Sequence, residues 1–133
     1  MSEKQKLFVM VKPDGVKRAL IGEIISRFEK KGFTLENIKM ITPTKELAQK
    51  HYEEHSSKGF FDDLVEFTIS GPVVAMAWNG DVHIARKLVG ETIPWKADNG
   101  TIRGDLACCM RENLVHCSDS IESSKREISL WFP

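Results

Sequence analysis

The stretch Asn113-Leu114-Val115-His116-Cys117-Ser118-Asp119-Ser120 concentrates the chemistry of this 133-residue sequence. A short apolar run delivers a histidine. Ser118-Asp119-Ser120 then open a helical pattern that continues to Trp131, so the spacing predicts a strand-to-helix junction. Asp119 followed by Glu122 reads as a helix cap with its acidic partner, which would gather unpaired backbone N–H groups beside His116 and attract anions to the corner. A neutral imidazole is an adequate nucleophile near neutral pH, because the ordinary histidine pKa is about 6.5. An unreactive, half-buried loop histidine fits the same residues, so the rest of the chain has to decide.

Composition confines where such chemistry can act. Lys plus Arg and Asp plus Glu are balanced at 19 each, for a formal net charge of +0. No global field then favours nucleic acid or an acidic membrane, and any phosphate site must be local. Hydrophobic content of 41% fits one globular domain over residues 1–133. The longest apolar runs are about five residues against the ~20 that span a bilayer, and Met1 to Lys6 is polar, unlike a secretory leader. A cytoplasmic location without membrane contact is expected. Cys108, Cys109 and Cys117 lack disulfide or paired metal-site spacing and read as reduced thiols.

The elements that must position the histidine follow from periodicity. Residues 6 to 12 form a buried strand ending in Lys12 and closed by the turn Pro13-Asp14-Gly15. Ile21, Ile24, Ile25 and Phe28 fall at helical spacing before Gly32, and Thr34 to Ile41 alternates imperfectly as a strand. Lys45 to Ser57 and Phe60 to Ile69 read as a helical hairpin. Pro72 to Trp78 is a buried strand and Asp81 to Val89 a helix carrying Arg86. Glu91 to Asp105 is a long connection, of the length that usually serves function or an interface. Ala107 to Val115 reads as the last strand and Ser120 to Phe132 as the last helix, giving β-α-β-α-α-β-α-β-α. Asp14, Asp62, Asp63 and Asp105 read as turn or solvated acids, with no carboxylate cluster that would hold a metal.

Val11-Lys12-Pro13-Asp14-Gly15-Val16, Ser70-Gly71-Pro72-Val73-Val74-Ala75-Met76, Gly100-Thr101-Ile102-Arg103-Gly104-Asp105, Asn113 to Ser120, and Glu127-Ile128-Ser129-Leu130-Trp131-Phe132 together resemble the nucleoside diphosphate kinase family, in order and over essentially the whole chain. The resemblance implies an α+β, ferredoxin-like βαββαβ sandwich, with a four-stranded antiparallel sheet covered by helices and a helical hairpin insertion. It implies reversible ping-pong transfer of the γ-phosphoryl group from a nucleoside triphosphate, mainly ATP, to a nucleoside diphosphate through a phosphohistidine on His116. Glu127 would fix the tautomer of that ring, and Ser118 would bond that acid. Seven residues beyond Ser120, Glu127 shares its helix face and leans back toward His116. The resemblance gives Lys12, Arg86, Thr92 and Arg103 the nucleotide phosphates, Tyr52 a place near them, and Phe60 the base. Met110 takes a base-facing position that is usually small and apolar. Asn113 takes the ribose hydroxyl end. Mg²⁺ would arrive on the nucleotide, with Asp119 touching its water shell. A homo-oligomer is implied, a hexamer assembled from dimers first, then a tetramer or dimer, although the chain stops at Pro133 where many relatives continue.

Two departures from the family carry expectations of their own. Cys117 stands where glycine is usual, so the local backbone is either permissive or slightly altered, and reversible inactivation by peroxide is expected of a thiol beside the histidine. The segment between Trp78 and Gly90 is about two residues short, trimming the helix ahead of Arg86. The competing reading is a catalytically silent ferredoxin-like domain that binds nucleotide or a partner. Retention of His116, Glu127 and the four phosphate-gripping residues argues against it.

Overall fold

The strand Lys6–Val11 (β1) is the centre of the molecule, and Leu7 through Val11 are all 0% exposed. Successive side chains of a strand point to opposite faces. Leu7, Val9 and Val11 accordingly enter one core cluster and Phe8 and Met10 the other. Burial on both faces is why the sequence here is a continuous apolar run rather than an alternating one. The computed structural model describes residues 5–133; Met1–Lys4, which carry most of the polar amino terminus, lie outside them.

Three further strands, Thr34–Ile41 (β2), Val73–Asn79 (β3) and Val115–Cys117 (β4), complete an antiparallel sheet in the order β2-β3-β1-β4. Its order and crossovers are those of the expected ferredoxin-like sandwich. The helices Ile21–Lys30 (α2) and Val82–Val89 (α5) cover one face, where Ile24, Phe28, Ala85 and Val89 are fully buried and Phe28 stacks on Trp78 at 5.2 Å. On the other face lies Ile121–Trp131 (α7), with Trp131 stacked on Phe8 at 5.6 Å. Beside it pack Lys45–His51 (α3) and Phe61–Thr68 (α4), the inserted hairpin. No helix among the described residues is long and apolar enough to cross a membrane.

Several boundaries differ from the sequence reading. Pro13-Asp14-Gly15 is the start of a short helix, Pro13–Lys17 (α1), with proline at its first turn, where the missing N–H costs nothing. The first hairpin helix stops at His51 and passes into a 3₁₀ turn, Glu53–His55. The long connection contains a 3₁₀ turn, Pro94–Lys96, and a helix, Ile102–Leu106 (α6), capped by the Thr101 hydroxyl. A register shift between Leu35 and Asn37 explains the imperfect alternation of β2. Ile121, in the first turn of α7, is 43% exposed.

The main correction concerns Ala107 to Val115. Only Val115–Cys117 is strand, so His116 lies inside β4 rather than after it. The run that precedes it, apolar from Ala107 to Met110 and polar from Arg111 to Asn113, has no sheet neighbour among the described residues. At Leu114 the chain reverses with φ +76, a conformation that leucine rarely adopts and that costs on the order of 1–3 kcal/mol.

α6 is held close to the chain before it. A Cβ on Gly104 would lie 1.9 Å from the carbonyl oxygen of Asp98 and 2.7 Å from the Thr101 hydroxyl. Backbone cannot give way as a flexible side chain does, so Gly104→Ala is expected to lower unfolding free energy by about 1–3 kcal/mol or more, read from urea titration. An unchanged urea midpoint would mean that α6 is free to shift.

Candidate active site

β4 pairs with β1 so that Met10 stands opposite His116, and Val9 and Val11 opposite Cys117 and Val115. Residues directly across a ladder share a face. His116 therefore points toward α7 with Phe8 and Met10, while Val115 and Cys117 enter the core under α2 and α5. Along α7 the buried residues Ser124, Glu127 and Trp131 make a helical stripe facing the sheet. That stripe brings Glu127 Oε1 to 2.9 Å from His116 Nε2.

Burial alone would raise the pKa of Glu127, but the neighbouring His116 and the bonds from His116 and Ser118 outweigh it and hold the carboxyl down at about 2. An ionised carboxylate only accepts, so Nε2 carries the ring proton and Nδ1 keeps a bare lone pair. Ser118, 0% exposed, donates to the same Oε1 at 2.7 Å. The cap of α7 is Ser120, whose hydroxyl accepts the Ser123 N–H at 3.1 Å; Asp119 does not cap it. Asp119 stays exposed at the cavity rim, its carboxyl lowered by bonds from Ser123 and Ser120 and by the charge of Arg86 against a smaller desolvation.

With the exception of the fully buried Ser118, every residue singled out from the sequence lines one cavity of about 540 Å³. Lys12, at the end of β1, is 7% exposed and donates to Asn113 Oδ1 at 3.0 Å. Burial and then the charge of Arg103 lower its pKa to about 8, with Asp14 opposing. The other end of the Asn113 amide donates to the Thr92 carbonyl at 3.3 Å. Arg86, in the last turn of the shortened but intact α5, donates to the Cys117 carbonyl at 3.1 Å. Asp81 caps that helix through His83 and Ile84, so trimming has not displaced Arg86 from the cavity.

Arg103 is more deeply engaged than an exposed cation. It is 4% exposed and donates to the carbonyls of Gly90, Asn113 and Val115. Those bonds use three of five guanidinium N–H groups and leave two for a ligand. Burial, followed by repulsion from Arg86, lowers its pKa to about 10. Tyr52 is 6% exposed, and burial pushes its phenol up to about 12, so it can act only as a neutral hydroxyl. Phe60 and Met110, each 51% exposed, give the mouth its apolar surface, and Arg111 bonds Asp63 beside them at 2.9 and 3.1 Å.

Sequence reasoning missed two residues of the site. His51, at the end of α3, is 2% exposed and lies edge-on to His116 with ring centroids 4.5 Å apart. Its signal was only its helical spacing from Ala48. A nitrogen of each histidine and an oxygen of Glu127 gather within 4.8 Å, a spacing that a metal could use. Yet Trp131 Nε1 can only donate, and it donates to His51 Nδ1 at 3.0 Å. The neutral His51 ring then carries its proton on Nε2 and has no second lone pair to offer. Asp14, read as a solvated acid, is 7% exposed and accepts the Leu114 N–H at 3.0 Å. At Cys117 the backbone is of the permissive kind, and the thiol is less reactive than its place beside His116 suggests. Its φ is not positive, and the thiol is 2% exposed and pushed up to about 12 by burial. It is inert packing, without the thiolate that peroxide attacks.

A family model described as nucleoside diphosphate kinase matches residues 5–133. A nucleoside diphosphate kinase of Exiguobacterium sp. is 58% identical over 130 residues, covering 96% of this chain and 94% of its own. Nucleoside diphosphate kinase 1 of Arabidopsis thaliana is 54% identical over 131 residues, covering 97% and 88%. Among solved structures, a halophilic nucleoside diphosphate kinase from Halobacterium salinarum in complex with CDP has a TM-score of 0.94 at 46% identity, covering 98% of this chain and 88% of its own.

The Glu127 pair has a consequence for acid stability. Its folded pKa of about 2 lies below the ordinary 4.5, so the ionised form stabilises the fold above 4.5 and that contribution is lost as pH falls through about 2. Glu127→Gln, which still accepts but does not titrate, is expected to lose less stability over that window in urea titrations. Parallel curves for the two proteins would contradict the lowered pKa.

Proposed function

The chain belongs to the nucleoside diphosphate kinase family, and from that membership we propose a route through His116 for its transfer of phosphoryl groups between nucleotides. The observation that carries the proposal is the Glu127–His116 bond, which leaves Nδ1 bare in a cavity shared with Lys12, Arg86 and Arg103. Nδ1 attacks the γ-phosphorus of a nucleoside triphosphate in line. The bond to the bridging oxygen breaks with its electron pair on the leaving diphosphate, and the phosphoryl group stays on Nδ1. Positive charge on the ring is met by the Glu127 carboxylate, which accepts the bond from Nε2–H while the proton stays on Nε2. A second diphosphate then attacks the phosphohistidine with its terminal oxygen, regenerating the free ring.

Lys12, Arg86, Arg103 and Thr92 hold the phosphates, and the cations offset the charge that builds up on the transferring oxygens. Tyr52 supplies a neutral donor near them. Phe60 stacks on the base and Met110 faces it across the mouth, contacts that need only an apolar surface and so admit several bases. Asn113, tied to Lys12 and Thr92, meets the ribose hydroxyl end. The divalent metal of this kinase chemistry is Mg²⁺, carried in on the nucleotide, where it neutralises phosphate charge. Its fit is to the exposed carboxylate of Asp119 beside His116 at the rim, suited to the metal's water shell.

The same reading makes residues 1–133 one catalytic domain in the cytoplasm, consistent with three unbridged cysteines. It also makes the protein a homo-oligomer, with a hexamer preferred over a tetramer or dimer. Ile38 and Met40 on the edge strand β2, and Trp95 at 73% exposure, are the apolar surfaces that assembly would cover.

Incubation with ATP and Mg²⁺ is expected to leave acid-labile phosphate on His116, and His116→Ala to abolish both labelling and exchange with a second diphosphate. A variant that still labels and exchanges would overturn the route. Lys12 gives a pH test. It loses its proton as pH rises through about 8, so kcat/KM for the triphosphate should fall above that pH. Lys12→Ala should be lower by roughly 10²-fold or more at neutral pH and lack that decline.

A further inference from the structure

The reversal at Leu114 separates the two residues on which the proposed chemistry leans, Asn113 and His116. The Val115 N–H bonds back to the Asn113 carbonyl at 2.9 Å, an i to i+2 bond, while Leu114 has φ +76. Together these define the rare γ-turn whose central residue has positive φ. Glycine would be its ordinary occupant, and a leucine stays there only if its surroundings over-determine it. The turn is what allows Asn113 to fold back onto Lys12 while Val115 begins to pair with Val11.

Contacts that hold it converge from the first turn after β1. The Leu114 N–H donates to Asp14 Oδ2 at 3.0 Å across 100 residues of chain. Its carbonyl accepts the Lys12 N–H at 2.9 Å. Gly15 sits so close that a Cβ there would be 2.9 Å from the same carbonyl. The Leu114 side chain is 0% exposed and anchored in the core. Arg103 bonds the carbonyls of Asn113 and Val115 on either side. Of these contacts, Asp14 alone is a side-chain acceptor for the strained residue's own N–H, which is the one hydrogen bond its buried carboxyl makes among the described residues. A carboxylate is costly to bury unless something demands it.

We infer that Asp14 is a positioning residue for phosphoryl transfer, clamping the γ-turn at Leu114 so that Asn113 stays on Lys12 and His116 stays presented to the nucleotide. It touches no substrate and acts only through the turn. Without the clamp the turn relaxes, Asn113 leaves Lys12, and β4 loses the fixed start that aims His116. The inference rests on the roles proposed above for His116 and Asn113.

The experiment is the single-turnover rate at which ATP with Mg²⁺ places acid-labile phosphate on His116, expressed per folded molecule after circular dichroism and urea titration. Asp14→Ala is expected to slow labelling more than tenfold. Asp14→Asn, which keeps an acceptor for the Leu114 N–H, is expected to stay within tenfold of the original chain. A purely structural role would lower the folded fraction and leave the rate per folded molecule unchanged. Labelling of folded Asp14→Ala at a rate within tenfold overturns the inference, as does an Asp14→Asn slowed as much as Asp14→Ala. Where Asp14→Ala gives no folded protein, Asp14→Asn decides by the same tenfold limit. Failure of the original chain to label His116 would remove the proposed route instead, which keeps the two outcomes apart.

Discussion

A carboxylate buried against an imidazole is the interaction on which the site depends. Glu127 at 4% exposure could not remain ionised alone, because desolvation would force a proton onto it. Donation from His116 and Ser118 to the same oxygen, at 2.9 and 2.7 Å, is what keeps it charged. The dependence runs both ways. The ionised acid fixes the ring proton on Nε2, and only then is Nδ1 free to act as a nucleophile. A buried ion pair of this kind is weak evidence for stability, since its attraction is spent against desolvation. Its value here is orientation.

The cations of the cavity obey the opposite logic. Among the described residues, Lys12, Arg86 and Arg103 are held together with no carboxylate bonded to any of their nitrogens, and both buried members have lowered pKa values. Neutral acceptors hold them in place: backbone carbonyls for the arginines and the Asn113 amide for the lysine. A carboxylate partner would have tied them down more firmly and cancelled the field. On the proposed function, a polyphosphate entering the cavity would relieve the repulsion that the fold has accepted, and the donors are already aimed. This is preorganisation built from positive charge held by dipoles. It reconciles a phosphate-binding site with a chain of zero net charge.

Much of this was legible in the sequence, and the parts that were not share a physical cause. β1, β3 and α7 announce themselves through apolar runs or helical spacing because their partners are simply the two cores. Ala107 to Val115 misled because a run with apolar ends becomes a strand only where a neighbouring strand exists to receive it. The edge of the sheet ends at Leu114, and no local feature of leucine discloses a positive φ. Asp14 and His51 were missed for a related reason. Each is polar, and its role is set by contacts distant in sequence, with Leu114 and Trp131 respectively. Choosing Asp119 as the cap over Ser120 was an error of one residue between two good capping types.

Register connects the scaffold to the chemistry. Along β4, Val115 and Cys117 enter the core under α2 and α5, while His116 between them faces Glu127. A slip of one residue against β1 would exchange the two faces, burying the imidazole in hydrocarbon and offering an inert thiol to the nucleotide. A strand of only three residues has few ladder bonds with which to resist such a slip. The resistance comes from its ends. The Ser118 N–H donates to the Phe8 carbonyl at 3.0 Å on one side, and the Lys12 N–H meets the Leu114 carbonyl at 2.9 Å on the other. The strained turn and the buried serine are therefore parts of one device, and what they fix is which of two adjacent side chains faces Glu127 and the cavity.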